Sequence, residues 1–192
     1  EMPGVYLAGE VDLAGTIIGV VERSRIIDGS RIQAGDVIVG FPSTGLHTNG
    51  YSLARRVLDG LDWTTYMPEL GETIEDALLT IHRSYIPAFD QLQAAGIDIK
   101  GLAHNTGGGL IENPPRIFPE GVGAIIKRGT WQELPIFGLI QKLGAVSDAE
   151  MFRVFNMGLG MVAIISRDQA NLVPAEYPIV GEIVNGTGVT IT

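Results

Sequence analysis

The chain contains no cysteine, which excludes disulfides, thiolate metal sites and cysteine nucleophiles, fits a reducing compartment, and makes the cytoplasm the expected location. It has no apolar run of about 18 residues, so no segment reads as a membrane-spanning helix and no membrane partner is expected. Positive charge is scarce. Thirteen Lys and Arg face 22 Asp and Glu, for a formal charge of −9 without any basic cluster, and such a surface repels nucleic acid. Residues 1–6, EMPGVY, carry an acidic group where a secretory leader would be basic. No internal repeat or low-complexity tract is present. Histidine is rare, at three residues.

What is present suits a globular fold. A chain of 192 residues that is 45% hydrophobic can bury roughly 70% of its unfolded surface, enough for one sizeable domain or one domain and part of another. The stretch that organises it is 101–116, GLAHNTGGGLIENPPR. An apolar strand leads into Gly107, Gly108 and Gly109, whose amides can converge on an anion without side-chain interference. A helix opening at Leu110 would place those amides at its positive end and favour a phosphate. Three glycines alone are equally compatible with a plain turn. Their flanks add chemistry: His104, Asn105 and Thr106 precede them, and Glu112, Asn113 and Arg116 follow.

A second constellation, PSTGLHTNGY over 42–51, follows a short apolar strand at 37–41 and precedes a helix over 52–58. Ser43, Thr44, His47, Thr48 and Asn49 there occupy a strand-to-helix junction, where α/β proteins commonly hold ligands. The same loop is also compatible with a simple cap, Asn49 or Ser52 capping the helix. Further helices are expected over 72–80, 85–95 and 136–143, the last entered through Pro135, and strands over 122–127, 161–165, 177–184 and 189–191. Asn156 precedes two glycines at a helix-to-strand turn and is expected to face the same cleft. His82 has no polar neighbours in sequence and reads as a surface or core residue. Residues 12–22, DLAGTIIGVVE, read as a strand without a hairpin partner, and 24–36 as a link between domains. Glu1 is not an initiator residue, so a fragment lacking an upstream half is expected.

Three stretches then carry a resemblance. HTNGYSLAR (47–55), GLAHNTGGGLIENPPR (101–116) and EMFRVFNMGLGM (150–161) resemble, in order, the signature segments of the aminoimidazole ribonucleotide synthetase family, also called phosphoribosylformylglycinamidine cyclo-ligases. EMPGVY and DLAGTIIGVVE resemble the end of that family's N-terminal domain. Two departures stand out: Val154 replaces a usual threonine, and 167–175 is shorter than the usual helix there.

The resemblance implies an α+β fold, a mixed sheet packed against helices over 25–192, preceded at 1–24 by the terminal strand or strands of a truncated, ferredoxin-like, ATP-binding N-terminal domain. It implies a homodimer, ATP and Mg²⁺, and a phosphoribosyl substrate of de novo purine biosynthesis. ATP would phosphorylate the formyl oxygen of formylglycinamidine ribonucleotide, and the ring-forming nitrogen would then attack the activated carbon and expel phosphate. His104 and His47 are the expected acid–base or phosphoryl-orienting groups. Ser43, Thr48, Asn49, Gly50, Thr106, Gly107, Gly108, Gly109, Glu112, Asn113, Arg116 and Asn156 are the expected substrate contacts, and no metal ligand is expected among these residues. A related enzyme of the selenophosphate synthetase or thiamine monophosphate kinase type, or a phosphate-binding domain without activity, remains compatible with the same residues.

Overall fold

The computed structural model describes residues 9, 11 and 15–192; the resemblance at 1–6 and the first part of the strand expected at 12–22 lie outside them. Residues 15–22 form no strand, which corrects the expectation for that segment. A strand needs a hydrogen-bonding neighbour, and β-branched residues alone do not supply one. Ile17, Ile18 and Val20 stand almost fully exposed, at 98%, 92% and 102%.

The ordered elements follow in chain order. Strand β1 (Val37–Pro42) leads to helix α1 (Tyr51–Val57), the small hairpin β2 (Tyr66–Met67) and β3 (Glu72–Thr73), and helices α2 (Ile74–Leu79) and α3 (Ile86–Ala94). Strand β4 (Ile99–His104) precedes the one-turn helix α4 (Gly109–Glu112) and strand β5 (Val122–Ile126). Helices α5 (Pro135–Gly144) and α6 (Asp148–Val154) and strands β6 (Leu159–Ile165), β7 (Ile179–Asn185) and β8 (Gly188–Ile191) complete the chain.

Local chemistry explains most boundaries. Thr73 caps α2 by accepting from the Asp76 amide at 3.0 Å, and Ser147 caps α6 through the Glu150 amide at 3.3 Å. Pro135 sits in the first turn of α5, where its missing N–H costs nothing. At α1 the cap is Gly50 with no side-chain bond, so neither Asn49 nor Ser52 has the capping role that the sequence allowed.

Six strands form one mixed sheet in the order β4-β6-β1-β7-β5-β8, antiparallel except for the parallel pair β5 and β8. Both faces are covered. Val37, Val39 and Phe41 of β1 face a cluster built with Tyr85, Leu92, Ile165 and Tyr177. Ile38 faces the larger cluster, to which α5 contributes Ile136, Phe137, Leu139 and Ile140. Burial of each such side chain is worth about 1.5–3 kcal/mol, and it explains why β1 reads as a continuous apolar run and not as an alternation.

The topology decides where the site can lie. Strands β1 and β4 both run antiparallel to β6, with Pro42 opposite Leu159 and His104 opposite Met161. The loop leaving β1, the loop leaving β4 and the turn entering β6 therefore meet at one end of the sheet. Those are the three stretches that carried the resemblance.

Candidate functional site

The two polar loops are tied by one side chain. Asn49 donates from Nδ2 to the His47 carbonyl at 2.9 Å and accepts the Gly107 amide on Oδ1 at 3.0 Å. This holds the loop after β1 against the glycine loop after β4. The backbone is bent to allow it: His47 and Thr48 have φ of 55° and 66°, followed by Gly50 at 78°. Positive φ at two successive residues bearing Cβ atoms costs on the order of 1 kcal/mol or more each and clusters at functional sites.

The three glycines serve three different needs. At Gly109, with φ 54°, a Cβ would lie 2.0 Å from the Phe152 carbonyl oxygen, so only glycine lets α6 approach. At Gly108, φ is 104° and a Cβ would press on the Glu112 side chain at 2.9 Å. Gly107 has neither constraint: a Cβ there would meet only Asn49 Oδ1 at 3.8 Å, and the residue is exposed. The fold does not require glycine at 107, and open space beside a bare backbone is what a ligand lying against the loop would use.

The phosphate cradle expected at the loop is not assembled in that form. Helix α4 is a single turn, the Gly107 amide is already bonded to Asn49, and the Glu112 carboxylate stands beside Gly108, where it would repel an anion.

Several expected contact residues prove to be internal supports. Asn113, buried, donates from Nδ2 to the carbonyls of Thr106, Gly107 and Gly109 at 3.3, 3.3 and 2.9 Å, and its Oδ1 accepts from Thr106 Oγ1 at 3.1 Å. Asn156, also buried, donates to the Gly45 carbonyl at 2.9 Å and accepts from Ser43 Oγ and from the Gly158 amide, each at 2.9 Å. Ser43 and Asn156 therefore lock the turn into β6 against the loop after β1, and Asn113 pins the glycine loop. Every polar group of both asparagine side chains that could reach a ligand is already engaged. Trp131, which sequence gave no reason to choose, supports the same turn by donating from Nε1 to the Met157 carbonyl at 2.8 Å. Arg116 lines a hollow with Asp28, Gly29 and Ser30.

Two other groups of polar residues complete this end of the sheet. Thr48, Asn49 and Gly50 line a hollow of about 450 Å³ with Tyr51, Ser52, Leu53, Arg56 and Val154, a volume in the range of small-molecule sites. Arg56 is its cation and was not singled out by sequence. The second group is the histidines. His47 and His82 stack at 4.0 Å between centroids and 15° between planes, and His82 lies 5.4 Å from His104. His82 is thus a member of the site, contrary to its reading as an isolated surface or core residue. Its neighbours come from two other segments, which no local pattern reveals.

The three imidazoles have different environments. His47 is 2% exposed, and its Nε2 accepts the Thr44 backbone N–H at 3.0 Å. A backbone amide can only donate, so this nitrogen is unprotonated and the neutral ring carries its hydrogen on Nδ1. Burial, with His82, His104 and Arg83 nearby, lowers the His47 pKa to about 4. His47 is therefore a fixed, uncharged ring at neutral pH, which argues against its expected acid–base role. His104, at the end of β4, is exposed at the surface, and its pKa is lowered, chiefly by partial burial and then by His82. A further hollow of about 430 Å³, between Ile111, Phe152 and Ile191, has its charges already paired, Arg128 to Glu133 and Asp148.

Comparison with known proteins places this geometry in context. A family model described as "AIR synthase related protein, C-terminal domain" matches residues 33–192. The chain is 47% identical over 182 residues to a phosphoribosylformylglycinamidine cyclo-ligase of Desulfitobacterium hafniense, covering 95% of this chain and 53% of that one. It is 42% identical over 200 residues to a chloroplastic/mitochondrial protein of the same name from Vigna unguiculata, covering 100% and 51%. The chain thus spans about half the length of the curated relatives it matches. A crystal structure of thiamine-monophosphate kinase from Stenotrophomonas maltophilia shares the fold at a TM-score of 0.58 and 18% identity, over 89% of this chain and 54% of the other.

Proposed function

The chain belongs to the family of AIR synthase related protein C-terminal domains, and from that premise we propose that it is the corresponding part of an ATP-dependent phosphoribosylformylglycinamidine cyclo-ligase acting in purine biosynthesis. The observation that carries the reading is the meeting of the His47–Gly50 loop and the Thr106–Gly109 loop through Asn49. The segments that identify the family are the ones the fold brings together.

In this reading the phosphoribosyl substrate lies along the cleft from the Thr48–Arg56 hollow past Gly107 to His104. Thr48, Asn49, Thr106 and the bare backbone of Gly107 orient it, and Glu112 is placed to accept a sugar hydroxyl. His104 accepts the proton released when the ring-forming nitrogen attacks, a role suited to an imidazole that is mostly uncharged at neutral pH. When bound, ATP supplies the phosphoryl group that activates the formyl oxygen. The rest of the task is positioning and charge stabilisation.

Among the described residues no group of three His, Asp or Glu side chains stands together as a metal site, and no step of this reading runs through Mg²⁺. We assign Mg²⁺, most nucleotide contacts and the homodimer contact to the part of the relatives that this chain does not span, and the whole enzyme to the cytoplasm.

The test is ring closure. The chain alone is expected to give no aminoimidazole ribonucleotide, whereas the chain joined to the N-terminal half of the Desulfitobacterium relative should yield ADP and aminoimidazole ribonucleotide in equal amounts. In that joined enzyme His104→Ala should reduce turnover about 10²-fold or more. ADP release that responds only to a different acceptor would overturn the substrate assignment.

A further inference from the structure

The three histidines of the chain meet at one point, although they come from the loop after β1, the connection between α2 and α3, and the end of β4. Around them the fold places cations and neutral groups. The loop after β1 brings His47 and Thr44, the α2–α3 connection brings His82, Arg83 and Tyr85, and β6 brings Gly160, where a Cβ would lie 2.7 Å from His47 Nδ1. None of the ion pairs among the described residues includes His47, His82, His104 or Arg83. In a chain where acidic residues outnumber basic ones by 22 to 13, three imidazoles and an arginine gathered without an ion-paired carboxylate are unusual.

His47 completes the geometry. Its buried Nδ1 has no hydrogen-bond partner, its ring is held by Thr44, and its face supports His82 in a near-parallel stack. His82 and His104, 5.4 Å apart, are close enough to donate to different oxygens of one tetrahedral anion.

We propose that His82 and His104, backed by the neutral His47 and flanked by Arg83, form a subsite for a phosphoryl dianion, whose charge completes a cluster that the protein leaves without a counter-ion. The subsite rests on the reading of the cleft above and deepens it: it puts the phosphoryl group at the histidine pair and not on the amides of the glycine loop, where Glu112 opposes it. Each imidazole can donate one ring N–H to the anion, which leaves the other nitrogen of His104 free to accept a proton, and hydrogen bonds to a charged acceptor are the strong ones.

With only three histidines, the 192-residue chain is suited to a direct measurement by NMR titration of the imidazole C–H signals, using inorganic phosphate against sodium chloride at matched ionic strength. Phosphate is expected to shift two signals, those of His82 and His104, in a saturable way that chloride does not reproduce, and to leave the signal of the buried His47 nearly in place. His82→Phe keeps an aromatic face on His47 but removes the donor. It should raise the His104 pKa in chloride and weaken phosphate binding roughly tenfold or more. Imidazole signals that ignore phosphate in the parent chain would overturn the proposal whether or not the variant folds, as would a folded His82→Phe that binds phosphate as tightly as the parent. Ring closure by the joined enzyme with phosphate-insensitive imidazoles would remove the subsite and leave the cyclo-ligase reading standing. Phosphate-linked shifts without ring closure would do the reverse.

Discussion

The two ends of the central sheet treat charge in opposite ways. Where β1 and β4 begin, Lys100 Nζ lies 2.6 Å from Asp36 Oδ1, both side chains are buried, and the second carboxylate oxygen accepts the Gln33 amide at 2.9 Å. Where the same strands end, His47, His82, His104 and Arg83 gather without a carboxylate, His47 Nδ1 is buried without a partner, and two residues carry positive φ. The first end is satisfied from within, so it contributes to one rigid arrangement. The second is left incomplete by the protein, at a cost of about 1–3 kcal/mol for an unpaired buried donor, and incompleteness of that kind is what a ligand can relieve.

The comparison is broken most severely at the satisfied end. Lys100→Met leaves Asp36 buried and unpaired, and should destabilise the chain by about 3–5 kcal/mol in urea unfolding at neutral pH. Adding Asp36→Leu should recover a large part of that loss, because the uncompensated charge goes with it. The response of the histidine signals to phosphate should persist in the double variant. A Lys100→Met chain of unchanged urea midpoint would show that the pair is hydrated and that the two ends do not differ in the way described.

The open end should respond to pH. The pKa of His47 in the folded chain, about 4, lies below its ordinary 6.5, chiefly because of burial. As pH falls, the unfolded chain takes up the proton first. The contribution of a neutral buried His47 is therefore complete above about 6.5 and is lost as pH falls towards 4, on the order of 2 kcal/mol over that window. The difference in urea midpoint between the parent and His47→Gln, followed over the same window, isolates this effect from the carboxylates. A difference that stays constant with pH would mean that His47 titrates as an ordinary exposed imidazole.

The contrast between the ends also explains what the sequence made legible. The apolar runs at 37–41 and 161–165 and the proline entering α5 have local causes, and the strands and helix expected there are present. The two polar loops were legible as loops because glycine and short polar residues mark them. Their division of labour was not. Asn113 and Asn156 look like ligand-facing amides in sequence and become internal struts only because carbonyls from several turns converge on them. His82 was illegible for the converse reason, since its chemistry arises from His47 and His104, which the sheet brings to it. The apolar segment 15–22 shows the limit of propensity, since residues suited to a strand form none without an edge to join.

The smallest expected effect on stability sharpens the comparison most, because it separates folding from binding within three consecutive residues. Gly109→Ala drives a Cβ to 2.0 Å from the Phe152 carbonyl oxygen at a residue of positive φ, and should cost several kcal/mol or prevent folding. Gly107→Ala meets nothing nearer than Asn49 Oδ1 at 3.8 Å, and its backbone is not among those with positive φ. Its urea midpoint should stay within about 0.5 kcal/mol of the parent, the usual range for a surface substitution. Where the fold tolerates a methyl group, a ligand lying against the bare backbone would not. In the joined enzyme Gly107→Ala should therefore raise the Michaelis constant for the phosphoribosyl substrate several-fold while leaving unfolding unchanged. Full substrate affinity in a stable Gly107→Ala enzyme would place the substrate away from the glycine loop, and the open character of that end would then belong to the histidines alone.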